Sequence, residues 1–301
     1  MRQSPQGFPA TRRSVRGRTL AVAVASLGSL GALAFAAPVL ANPQLKAEFA
    51  PFADCPVETA LICTVADTTS GEFTLGHKTV PIEKTITLQG GLATESFASQ
   101  PLLGAADGDT LSPTALTVPG GLVGIAGLGG EVTATAEIAG PPSSIIVNKS
   151  SLLSQQSTAV VLPLKIKLSS PILGEACYIG SDSEPVVLHL TTGATSPPLP
   201  YKSISGKRGT LEGKAKGKIT YVNANTLVDN SFTVPGASGC GGGLAALIDP
   251  VVDLDVGIPS SAGQNTAIMN GTFEETAAVY AAKYKPKPKK GKKGPASTRT
   301  G

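Results

Sequence analysis

Short runs in which apolar and polar residues alternate, separated by clusters of Gly, Pro and Ser, constrain this chain more than any other feature. Val132, Ala134, Ala136 and Ile138 alternate with Glu131, Thr133, Thr135 and Glu137, and Leu162, Leu164, Ile166 and Leu168 alternate with Pro163, Lys165 and Lys167. A period of two puts one set on a dry face and the other on a wet face, the pattern of a half-buried strand. The same reading predicts strands over Glu72–Leu75, Val80–Leu88, Ser144–Val147, Val186–Thr191, Leu211–Val222, Asn230–Val234 and Thr272–Tyr280. Pro163 has no N–H to give to a central ladder, so its strand is expected at a sheet edge or a bulge. One short helix is expected over Leu244–Leu254, after the run Gly239–Gly243 and interrupted by Pro250. About ten strands with turn residues between them predict an all-β fold, a β-sandwich-like two-sheet domain. With no Trp, eight Phe and five Tyr in 301 residues, the core must come from Val, Leu, Ile and Ala. The length also accommodates two subdomains dividing near residue 170.

The first residues are of a different kind. Arg2, Arg12, Arg13, Arg16 and Arg18 precede Leu20–Leu40, which holds no charge, and Val39 and Ala41 place small residues before Asn42. A basic segment, an apolar segment and a small-residue exit make residues 1–41 a signal peptide removed after Ala41. Two variants of this reading stand beside it. An uncharged run of this length also suits a retained membrane anchor, although Gly28, Gly31 and Pro38 make a poor permanent helix. Arg12-Arg13 resembles a twin-arginine export signal, with Arg16 standing where an apolar residue is usual.

Charge divides the remainder. Between residues 42 and 282, twelve basic residues face all 21 acidic ones, a net charge near −9, while residues 283–301 carry about +8. The overall +4 averages two opposites and does not mark a nucleic-acid-binding domain. Cys55, Cys63, Cys177 and Cys240 form an even set, which in an exported chain reads as structural bridges. Of three pairings, Cys55 with Cys63 and Cys177 with Cys240 is favoured. The absence of any C-x-x-C speaks against a thioredoxin-like pair or a cysteine zinc knuckle.

The stretch Thr68-Thr69-Ser70-Gly71-Glu72-Phe73, with Val80-Pro81-Ile82, Gly90-Gly91, Cys177-Tyr178-Ile179-Gly180, Leu227-Val228-Asp229-Asn230-Ser231-Phe232 and Ser238-Gly239-Cys240, resembles uncharacterised secreted proteins of actinobacteria. The resemblance implies export and an all-β domain, and offers no known activity to carry over.

Chemistry-bearing residues are sparse. His77 falls in the turn Gly76-His77-Lys78 and His189 on the outward phase of Val186–Thr191, and neither is joined by a G-x-S-x-G elbow or by a second ligand at metal spacing. No catalytic, metal or cofactor residues are therefore expected, with a hydrolase using paired carboxylates the remaining enzymatic reading, because such pairs leave no spacing in sequence. Asp107-Gly108-Asp109-Thr110, Ser181-Asp182-Ser183-Glu184 and the group Asp249, Asp253, Asp255 read as turn chemistry before calcium loops. In Leu211–Val222, Lys214, Lys216 and Lys218 would line one strand face about 7 Å apart, the mark of a protected edge or of a ladder for an anionic partner. The apolar, Gly-rich stretch Pro119–Gly130 could cover a cavity for an apolar or lipid ligand.

The Lys-Pro-rich tail is expected to be disordered, with Lys285, Lys287, Lys289, Lys290, Lys292 and Lys293 acting together on an anionic cell-wall polymer or on membrane headgroups. Together these features predict a secreted, noncatalytic protein retained at an anionic cell envelope, without specific nucleic-acid binding. An extracellular carrier of an apolar ligand is the alternative.

Overall fold

The computed structural model describes residues 43–122 and 131–284. A short helix α1 (Pro43–Glu48) leads into β1 (Ile62–Leu75), β2 (Lys78–Pro81), β3 (Ile86–Leu92), β4 (Gln100–Gly104), β5 (Ala115–Thr117), β6 (Thr133–Ile138) and β7 (Ile146–Val147). Helix α2 (Lys149–Ser154) precedes β8 (Val160–Ser169), β9 (Tyr178–Ile179), β10 (Val186–Leu190), β11 (Thr210–Lys214), β12 (Ile219–Asp229) and β13 (Ala237–Ser238). Helix α3 (Ala245–Val256), β14 (Thr266–Ala277) and α4 (Ala278–Tyr284) complete the described chain. Among the described residues, every pairing between these strands is antiparallel.

One sheet runs β11-β12-β14-β1-β3-β4, with β2 continuing the side of β1 that β3 occupies. β4 then turns the corner, pairing with β3 in the first sheet and with β7 in the second. The second sheet is organised by β8, which meets β6 and β7 on one side and β9 and β10 on the other. The inward faces of both sheets meet in one aliphatic core that includes Leu92, Leu102, Leu162, Leu188, Ile179 and Val252. This is the sandwich-like, all-β architecture that alternation predicts. β10 repeats it residue by residue, with Val186, Leu188 and Leu190 buried and His189 exposed.

Several local expectations change. Pro163 sits in the central strand of the second sheet, where its carbonyl accepts from Ala139 N–H. On that side β6 pairs from Leu164 onward and β7 only up to Val161, so the missing N–H falls in the gap between two partners and breaks no ladder. Val80–Leu88 divides into β2 and β3, while Thr272–Tyr280 is the end of β14 followed by α4. Asn230–Val234 forms only a single bridge, Val234 to Ser260. The packing does not part near residue 170, since β8 pairs directly with β9 and β10 beyond it. Pro250 does not interrupt α3, which runs on to Val256 and forgoes one intrahelical bond, the one residue 250 would have given to Ala246.

Glycine is required where β1 and β14 shift register between Thr68 and Ser70. A Cβ on Gly271 would run into the carbonyl of Asp67, and Gly71, at φ +127°, lies against the carbonyl of Ile268. Both bridges favoured from sequence are present, Cys55–Cys63 across 8 residues and Cys177–Cys240 across 63. Among the described residues, no helix is long and apolar enough to cross a membrane.

Candidate functional site

Two places gather polar chemistry. The first is built at the end of the first sheet, where α4 lays Ala278, Ala281 and Tyr284 into a second cluster with Phe49, Phe52 and the Cys55–Cys63 bridge. Tyr284 stacks on Phe49 with ring centroids 4.6 Å apart. The ammonium groups of Lys218 and Lys283 lie 5.8 and 5.7 Å from the Tyr284 ring centroid, within cation–π range. Lys218 also lies 5.6 Å from the Tyr280 ring. It is held there because the tip of the β11–β12 hairpin is docked. Ala215 is buried in the same cluster, and its N–H donates to Glu48 Oε2 at 2.6 Å.

That hairpin overturns the lysine ladder. Leu211–Val222 is two strands, not one: the chain reverses over Ala215, Lys216 and Gly217, all left-handed, at φ +50°, +58° and +80°. Lys214 is occupied by Glu274, 2.9 Å away, and lies 3.1 Å from the centroid of Tyr221. Lys216 stands exposed at the tip and Lys218 on the returning arm. Alternation misled because it resumes in the same phase after the turn. The tail lysines Lys285, Lys287, Lys289, Lys290, Lys292 and Lys293 follow α4 in sequence and lie outside the described residues, as do residues 1–41.

The second place is an open cleft of about 310 Å³ on the outward face of β10. Its floor is Asp229 at the end of β12, only 1% exposed. The carboxylate accepts from His189 N–H at 2.6 Å through Oδ2 and from Ser231 N–H at 2.7 Å through Oδ1. The first bond continues the ladder beyond the Thr191–Val228 bridge, so the side chain stands in for a missing strand. The second is an Asx turn that redirects the chain. Burial pushes the Asp229 pKa up, opposed by these N–H bonds and by the nearby His189 charge. Gln156, Ser157 and Thr158 form one wall and Ala194–Ser196 the other. His189, expected as a plain surface residue, lines this cleft. Asp229 was not picked out as a site residue from sequence, although Asp-Asn-Ser after an alternating run is a turn signature that pointed to it.

Other acidic groups are engaged structurally. Asp249 accepts from Gly239 and Cys240 N–H, and Asp253, one turn along α3, accepts from Ala237 N–H, with its pKa raised first by burial. Asp109 N–H donates to Asp107, Glu184 N–H donates to Ser181 Oγ, and Asp182 pairs with Lys165 at 2.9 Å. That hydrogen bond lowers the Asp182 pKa and raises that of Lys165. Among the described residues no three acidic, His or Cys side chains are grouped to hold a metal. Buried Lys149 reaches Glu275 at 3.3 Å and lies 4.7 Å from the Phe97 centroid, fastening α2 to β14.

Between the sheets, Phe73, Leu116, Ala134, Ile166, Val186 and their neighbours line an apolar cavity of about 60 Å³. That is small beside the roughly 300–1,000 Å³ of ligand pockets. Leu122 of the Pro119–Gly130 stretch is buried in the core, and residues 123–130 lie outside the described residues.

The fold and its two bridges define a disulfide-stapled, all-β domain of the kind that matures in an oxidising compartment. Compared with family models, curated proteins and solved structures, the chain matches none.

Proposed function

We propose that this is a noncatalytic extracellular protein retained at an anionic envelope surface by its basic C-terminus. The observation that carries the reading is that the ammonium groups of Lys218 and Lys283 lie 5.8 and 5.7 Å from the centroid of the docked Tyr284 ring. The positive charge of the tail thus begins on the folded body, at a point fixed by aromatic packing. Lys285, Lys287, Lys289, Lys290, Lys292 and Lys293 extend it, and each lysine near an anionic surface contributes about 1 kcal/mol, screened by salt. The acidic remainder of the domain is repelled by the same surface, which orients the protein with its C-terminal end inward.

Cosedimentation of the exported chain with isolated envelopes, with and without residues 285–301, at low and high salt tests this. Retention that needs the tail and disappears in salt supports the reading. Equal recovery of both forms in the supernatant overturns it.

A further inference from the structure

The geometry points to the cleft over Asp229 as a binding site for a neutral polyhydroxyl ligand, a sugar unit read through adjacent hydroxyls. Its acceptor is a buried carboxylate whose backbone N–H partners, His189 and Ser231, leave lone pairs on both oxygens. Around it, the side chains of Gln156, Thr158, Ser196 and Ser231 make no hydrogen bond among the described residues, and neither does the His189 ring, which faces Asp229. A vicinal diol donates to a carboxylate and accepts from amide and hydroxyl groups, and this set supplies both halves.

Other ligand classes fit less well. An anion would approach a buried carboxylate at the floor. An amine would find a single carboxylate, its charge already shared with two N–H donors, and walls of neutral hydroxyls with no second negative charge. An apolar ligand would strip water from groups that have no protein partner to replace it. The cleft volume, about 310 Å³, suits one sugar residue or the end of a chain. No Phe, Tyr or Trp lines the cleft. Recognition therefore rests on hydrogen bonds rather than on stacking, and binding is weak and stereospecific. The cleft lies between the end of β12 and the outward face of β10, and none of the residues of the basic end lines it, so it does not depend on them.

Amide-resolved NMR titration of the exported chain, tail included, tests the assignment, with methyl α-D-mannopyranoside, methyl α-D-galactopyranoside and maltose as neutral sugars. Putrescine and inorganic phosphate serve as charged controls. The expected result is saturable shifts at Thr158, His189, Ser196 and Ser231 with at least one sugar. Gln156→Ala and Ser196→Ala, both at exposed positions, should each weaken that binding by about three- to tenfold while the rest of the spectrum is unchanged. No cleft shift with any sugar, preferential response to putrescine or phosphate, or sugar shifts that persist unaltered in both variants would overturn it.

Discussion

The sandwich core and the terminal cluster are two solutions to the same shortage of aromatic residues. The core joins strands distant in sequence through Leu, Ile and Val, is closed by the 63-residue Cys177–Cys240 bridge, and retains a cavity of about 60 Å³. The terminal cluster gathers Phe49, Phe52 and Tyr284 around the 8-residue Cys55–Cys63 bridge and ties the first described residues to the last. One is a broad aliphatic interface with some slack. The other is a compact aromatic clasp. Aliphatic layers tolerate imperfect fit because many small contacts share the load, whereas the clasp depends on a few rings.

Removing the long bridge should have the largest effect. In the chain-entropy model, Cys177→Ala with Cys240→Ala costs about 4 kcal/mol and loss of Cys55–Cys63 about 2.5 kcal/mol, read from denaturation midpoints. Equal losses would show that the unfolded chain is not what separates the two regions. Next, Phe49→Ala should cost about 3 kcal/mol and release α4. Hydrogen exchange would show α4 amides losing protection while those of β8 and β10 keep theirs. If β8 and β10 opened together with α4, clasp and sandwich would be a single cooperative unit.

Ala134→Val, filling part of the inter-sheet cavity, should add about 0.5–1 kcal/mol to thermal stability. A loss instead would mean the core is already tightly packed. The smallest effect concerns pH. Burial raises the Asp229 pKa above 3.8, so its contribution to stability is greatest below that value and is lost as pH rises through the raised one. The stability of the native chain relative to Asp229→Asn should therefore fall with rising pH across that window, measured by melting at a series of pH values. A flat difference would remove burial as the controlling cause.

The sandwich was largely legible because period-two patterns map directly onto inward and outward faces, as in β8, β10 and β6. The clasp was not, because Phe49 lies in a turn, Phe52 in a single 3-10 turn and Tyr284 at the end of a short helix beyond β14, and no periodicity links them. The lysine ladder failed because the three left-handed residues at 215–217 include only one glycine, so the turn gave little local signal. Asp229 escaped because an isolated aspartate in a turn motif is common. Its burial depends on β10 running alongside, which is information about pairing rather than about sequence. The strand over Asn230–Val234 failed for the related reason that Asp229 turns the backbone out of the sheet.

The attachment of α4 to β14 has a mechanical consequence. β14 is flanked by β1 and β12, and its register with β1 runs from Ala277 opposite Ile62 to Thr266 opposite Thr74. Tension entering through the C-terminus first meets the stacked rings of Phe49 and Tyr284, and then a strand gripped along its length on both sides. Force directed along that strand loads many rungs in shear at once instead of unzipping them singly. A body pulled by its tail in flowing liquid would thus be hauled by one of its most firmly held strands.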